Sequence, residues 1–264
     1  MAGLALLVVF VAAAFLAAWI APYPYDKTDL RHGAKPPTSQ HLLGTDELGR
    51  DLLTRTLYGA QISFAVGILA TLVSLTIGVT YGSLAGYVGG RVDHVMMRIV
   101  DILYGLPFMF FVILLMVVLG RNILNLFIAL GAVQWLTMAR IVRGQILSLR
   151  NREFVLSAHA MGASPRRILV RHLLPNALGP IVVYATLTVP AVMLEEAFLS
   201  FLGLGVQPPM ASWGSLASEG AAAMEVYPWL IIFPGSALTV TLLSLNFLGD
   251  GLRDALDPQV TARR

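Results

Sequence analysis

Long apolar runs dominate this chain, and they restrict it to folds that satisfy their own backbone without water. Six stretches stand out: Leu4 to Ile20, Ile62 to Tyr87, Val95 to Leu119, Ile123 to Val142, Ala177 to Leu199, and Trp229 to Leu248. Each is near the length, about 20 residues, that a hydrocarbon layer about 30 Å thick demands of a helix. A single segment crossing lipid must close its hydrogen bonds within itself, which selects the α-helix. Of 264 residues, 57% are hydrophobic and 12% charged, against about 25% charged in soluble domains. The expectation is an all-α polytopic membrane protein, one transmembrane domain over 1–264 with about six transmembrane helices. A cleaved leader is the alternative for the first run, but no Lys or Arg precedes it. That missing basic flank points to a natural start upstream of Met1.

Lys and Arg set the orientation. Arg140, Arg143, Arg150, Arg152, Arg166, Arg167 and Arg171 cluster between the fourth and fifth runs, whereas Ser200 to Pro228 has neither Lys nor Arg. The Arg-rich loop 143–176 is therefore expected to be cytoplasmic, as are both termini, with Arg91, Arg98, Arg253, Arg263 and Arg264 on the same side. The segment 21–60 is expected outside. It fits least well, because it holds Lys27, Arg31, Lys35, Arg50 and Arg55, offset by Asp26, Asp29, Asp46, Glu47 and Asp51. The modest net charge of +3, with Arg beside apolar runs, points to a membrane surface and not to nucleic acid.

Within the second run Ala70, Ser74, Gly78, Gly82, Gly86 and Gly90 recur every fourth residue. Small residues at that interval let another helix approach backbone to backbone. Four residues overshoot one turn by about 40°, so the stripe winds and could serve more than one neighbour.

Several chemistries are missing. The only lysines are Lys27 and Lys35, and neither follows a Gly, so no phosphate-binding Lys loop exists and no ATP hydrolysis is expected of this chain alone. With Cys at 0 there is no thiolate metal site or Cys nucleophile, and His32, His41, His94, His159 and His172 lack metal-ligand spacing. Neither a catalytic nor a metal site is expected. Three acids near the membrane are candidates for a substrate or gate role: Asp101, which can pair with Arg98 one turn earlier, and Glu195 and Glu196, expected at the interface.

The loop 143–176 is longer than two helices need, and it carries helical signals. Asn151 can cap a short helix through Glu153, Phe154 and Ala158 to Met161, with Gly162 as its stop. Ser164 then offers an N-cap with Pro165 at the first helical position, for a second helix through Arg166 and Ile168 to Leu173, stopped by Pro175 and Asn176. Ala158, Ala160, Gly162 and Ala163 leave a small-residue knob, flanked by Phe154 and Met161, that could enter a partner's groove.

Ala158, Gly162, Leu174 and Pro175 have the spacing of the loop called the EAA motif, although Leu156, Ser157 and His172 depart from its usual Glu, Ala and Ile. Leu43-Gly44-Thr45-Asp46-Glu47-Leu48-Gly49-Arg50-Asp51, Glu196 through Leu199-Ser200-Phe201-Leu202-Gly203-Leu204-Gly205, Trp213-Gly214, and Gly249 to Pro258 add to it. On these residues the chain resembles the permease subunits of ABC importers, in the branch that imports dipeptides and oligopeptides. The resemblance implies a multi-pass protein of a bacterial or archaeal cytoplasmic membrane, of the type I importer architecture. Its implied partners are a second homologous permease, cytoplasmic ATPase subunits that bind ATP and Mg, an extracytoplasmic substrate-binding protein, and lipid; no cofactor is implied for the chain itself. Ala158 to Ser164 would sit in the ATPase groove, supported by Arg166, Arg167 and His172. Similar chains import nickel, haem or glutathione, so the resemblance leaves the substrate open. A proton-coupled secondary transporter, with Asp101, Glu195 or Glu196 as coupling acid, is the alternative from another class.

Overall fold

The structure, a computed structural model, describes residues 2–256. Among these it contains helices and loops but no strand, only an isolated bridge between Thr45 and Asp51. Arg263, Arg264 and the Asp257-Pro258 end of the last motif lie outside the described residues. In chain order the helices are α1 (Ala2–Phe15), α2 (Ala17–Ile20), α3 (Leu52–Val88), α4 (Gly90–Tyr104), α5 (Phe108–Leu119), α6 (Ile123–Leu149), α7 (Glu153–Ala160), α8 (Pro165–Ile168), α9 (Leu174–Phe201), α10 (Trp213–Ala222) and α11 (Trp229–Leu256).

Among the described residues, four helices are long and apolar enough to cross a membrane singly: α3, α6, the continuous run Pro165–Phe201, and α11. The pair α4 and α5 qualifies only jointly, because it bends by 84°. The expected span Val95 to Leu119 is therefore broken at Gly105-Leu106-Pro107. Pro107 lacks the N–H that would continue α4, and it serves as the N-cap of α5. The first expected span is two pieces, parted at Leu16, of which α1 is 14 residues long. It is nonetheless packed into the body, with Leu7, Ala14 and Ala17 buried and Phe10 edge-on to Trp213 at 5.9 Å.

The small-residue stripe is buried from Ala70 through Gly86; its glycines meet α6, and Ala70 sits in a core cluster with residues of α5, α6 and α9. A Cβ on Gly78 would lie 2.6 Å from Met138 Cβ, one on Gly86 2.9 Å from the Arg143 carbonyl, and one on Gly82 would strike the Ala139 carbonyl. The pairing climbs in step along both helices, so α3 and α6 run parallel as a close-packed pair. Gly90 is not part of it; it is exposed, with open space around its Cα.

Opposite ends of the bundle carry different loops. At one end α3 closes on Arg150, whose Nη1 donates to the Gly86 carbonyl at 3.1 Å, and Arg143 Nη2 donates to Asp93 Oδ2 at 2.6 Å. This end also holds the loop 150–164. At the other end the segment before α3 meets α10 and α11. Arg55, 2% exposed, donates through Nη1 to Asp46 Oδ2 and to Glu219 Oε2, both at 2.8 Å. Arg50 Nε donates to Asp46 Oδ2 at 2.7 Å, and Trp229 Nε1 to the Thr45 carbonyl at 3.2 Å. Two of the basic residues that argued against an outside position for 21–60 are thus neutralised in a buried network, and Leu52 to Ala60 already belong to α3.

Candidate functional site

The loop between α6 and α9 is built as an elbow. Helix α7 starts after Arg152, whose side chain makes no capping bond, so Asn151 is not the cap. The helix ends in a Schellman motif: Gly162 N–H donates to the His159 carbonyl at 2.9 Å and Ala163 N–H to the Ala158 carbonyl at 3.0 Å. Gly162 takes a φ of +80° there, the left-handed conformation that glycine adopts without steric penalty. Two residues on, the Ser164 side chain accepts from Arg167 N–H and Pro165 opens α8. The second loop helix does not stop at Pro175. A π turn over Leu169–Leu173 links α8 to α9, and the wider turn carries the chain past a residue that cannot donate to the preceding turn. Asn176 Nδ2 donates to the His172 carbonyl at 2.7 Å, giving that carbonyl a partner.

One face of the elbow anchors it and the other is free. Val155, Ala158, Ile168 and Leu173 are buried with Val142 and Ile146 of α6. Ala158, 1% exposed, therefore faces inward and not onto the expected knob. Outward face Glu153, Phe154, Leu156, Gly162, Arg166, Arg167 and Met161, which is 80% exposed. Ala163, His172 and Leu174 are half-buried, and Pro175 is exposed within the continuous helix.

The three acids have separate fates. Asp101 pairs with Arg140 Nη2 at 2.8 Å and not with Arg98; Arg140 also lies 4.2 Å over the Tyr104 ring. Glu196, expected exposed at the interface, is instead buried, 1% exposed, within α9, which continues past it to Phe201. Its Oε1 accepts from Ser200 Oγ at 2.8 Å and from Ser212 Oγ at 2.6 Å, which ties α9 to the cap of α10. Glu195 points elsewhere, into a cavity of about 450 Å³ beside the α4–α5 break. There Gln134 Nε2 donates to both of its oxygens, at 2.8 and 3.0 Å. Gln134 was missed from sequence, although an amide in the middle of an apolar span was a signal. Arg140 and Asp93 were missed because their partners are distant in the chain.

Residues 78–262 match the family described as binding-protein-dependent transport system inner membrane component, and residues 1–37 the N-terminal TM domain of oligopeptide transport permease C. The chain is 54% identical to the oligopeptide transport system permease protein OppC of Haemophilus influenzae, over 97% of this chain and 82% of that one. It is 53% identical to OppC of Escherichia coli, over 98% and 86%, and 48% identical to the dipeptide permease DppC of Bacillus subtilis, over 98% and 82%. Among solved structures, a chain of the inward-facing MetNI methionine ABC transporter superposes with a TM-score of 0.64 at 21% identity, over 78% of this chain and 98% of that one, a likeness of fold. By sequence and fold together, the chain belongs to the binding-protein-dependent inner membrane permeases of ABC importers, in the dipeptide and oligopeptide branch.

Proposed function

We propose that this chain forms half of the translocation pathway for di- or oligopeptides in an ATP-driven importer, with the α7–α8 elbow as the seat of the ATPase. The observation that carries the reading is the elbow itself. A capped turn at Gly162 holds Phe154, Leu156 and Met161 outward among Arg166 and Arg167, while Val155, Ala158 and Ile168 fasten its inner face. Exposed apolar groups ringed by arginine suit a protein groove better than water. In this reading the loop end and both termini are cytoplasmic, and 21–51 with 202–228 face the binding protein. The pathway runs beside Gln134, Thr137, Ile141 and Gln145, which share one face of α6 and line the cavities along it. A second permease completes the path, and the ATPase subunits supply ATP and Mg chemistry.

The test is uptake by the chain co-expressed with its second permease, ATPase subunits and binding protein in proteoliposomes. Peptide uptake should require internal or cytoplasm-side ATP, stop with vanadate and ignore an uncoupler. Uptake driven by a proton gradient without ATP would replace this reading with a secondary transporter.

A further inference from the structure

Glu195 sits in a setting that the importer reading does not by itself explain. Its cavity, about 450 Å³, falls in the size range of small-molecule sites. Leu106, Phe108 and Phe111 supply apolar and aromatic wall, and Tyr104 stands at the end of α4. Helix α4 terminates on this wall, so the negative end of its dipole lies there. Among the described residues no Lys, Arg or His forms an ion pair with Glu195. Arg140, on the same helix as Gln134, is committed to Asp101.

A carboxylate in a spanning helix is expensive unless it is paired or watered. The Gln134 amide fixes the group but supplies no positive charge. It also uses only part of the carboxylate's accepting capacity, which amounts to about four lone-pair sites. A site with an anchored anion, aromatic walls and a helix C-terminus favours a cation that has N–H donors and tolerates π faces.

We propose that Glu195 is the cation subsite of the pathway and holds the primary ammonium of a peptide in transit. The assignment rests on the importer reading, and it adds which part of the substrate the permease itself grips. Glu195 accepts hydrogen bonds from the ammonium on the side away from Gln134, while Tyr104, Phe108 and Phe111 shield the pair from water. Glu196, one residue on, takes no part, because Ser200 and Ser212 occupy it.

Equilibrium binding to the assembled importer in nanodiscs, without the binding protein, tests this with three labelled probes. They are tetra-alanine, N-acetyl-tetra-alanine, and the acetylated peptide carrying one Lys. Wild type should hold tetra-alanine about tenfold tighter than its acetylated form, the effect of one partly desolvated charge pair. Glu195→Gln should bring that ratio near one by weakening the free peptide alone. Gln134→Leu, which frees the carboxylate to wander, should lower it by about threefold, and it carries the test if Glu195→Gln does not assemble. Rescue of acetylated binding by Lys means any primary ammonium fits; no rescue narrows the subsite to the α-amine. A wild type that does not bind tetra-alanine or does not prefer it, variants that keep the ratio, or equal weakening of all three probes would overturn the proposal. ATP-driven uptake by the wild-type system, with binding protein present, reports separately on the importer reading.

Discussion

Gly82 lies directly against the carbonyl of Ala139, with no room for even one methyl between them. The contact is backbone to backbone, in the helix pair that shares the most extensive contact.

Gly82→Ala should therefore already destabilise the protein, by about 1–3 kcal/mol from overpacking, and Gly82→Leu should abolish assembly. Gly144→Ala in α6, where the added methyl meets open space, should be neutral or slightly stabilising. Thermal stability in detergent and membrane abundance decide it. Equal behaviour of Gly82→Leu and wild type would show that α3 and α6 are not so apposed.

At Gly162 the strain is conformational, since nothing lies within 4 Å of an added Cβ. Ala or Leu in the left-handed region costs about 1–3 kcal/mol, and Asn less. Loop integrity, read by limited proteolysis, should fall in the order Gly, Asn, Ala, Leu, with normal membrane abundance throughout. Gly162→Leu should also weaken ATPase association. Ala158→Leu should act differently, by overpacking the face shared with Val142 and Ile146, and so lower stability before docking. If Gly162→Leu keeps full ATPase binding and full transport, the elbow is not the docking site.

The Arg55 network separates two kinds of charge. Asp46 is buried and Glu219 is half in water, with side-chain exposures of 8% and 45%. Arg55→Ala leaves Asp46 with the Arg50 side chain and the Leu48 and Arg50 amides, so the loss should be about 2–3 kcal/mol, short of the roughly 3–5 kcal/mol of a buried charge left without any partner. Glu219→Gln should cost about 1 kcal/mol or less, and that difference should shrink in high salt. Melting curves of both variants at low and high salt check this; equal losses would mean that Glu219, not Asp46, holds the guanidinium.

Sidedness can be read with single cysteines, since these 264 residues contain none. Ser164 and Glu225 are exposed at opposite ends of the bundle. Ser212, though at the same end of the bundle as Glu225, is fully buried and caps α10, which makes it a poor probe. An impermeant thiol reagent should reach position 225 from outside intact cells and position 164 only after the membrane is opened. Labelling of 164 from outside would invert the topology.

What the sequence makes legible are features that act through neighbours in the chain. The apolar runs, the Gly stripe, the Gly162 stop and the Ser164-Pro165 start all depend on residues within a turn or two. The bend at Gly105-Leu106-Pro107 is harder, because apolar content continues across it and only Pro107 marks the break. Pro175 misleads in the opposite sense: a proline ends an α-helix, but a π turn before it lets the helix go on. Arg98 is a natural partner for Asp101 by spacing, yet Arg140 on another helix takes it, and no local rule sees that distance. Glu196 shows both cases at once, with Ser200 one turn away and Ser212 across a loop.

The unbroken run from Pro165 to Phe201 joins the elbow to the neighbourhood of Glu195 in one member. From Pro165 to Glu195 it spans about 45 Å at helical rise. Over that length each degree of tilt displaces the far end by about 0.8 Å. A lever of this kind needs no relay of side chains: a partner that rocks the elbow repositions the carboxylate directly. Pro180 and Pro190 lie between the elbow and Glu195 and each remove a backbone bond, so about 0.8 Å per degree is the upper limit of the stroke and any bending at these two points reduces it.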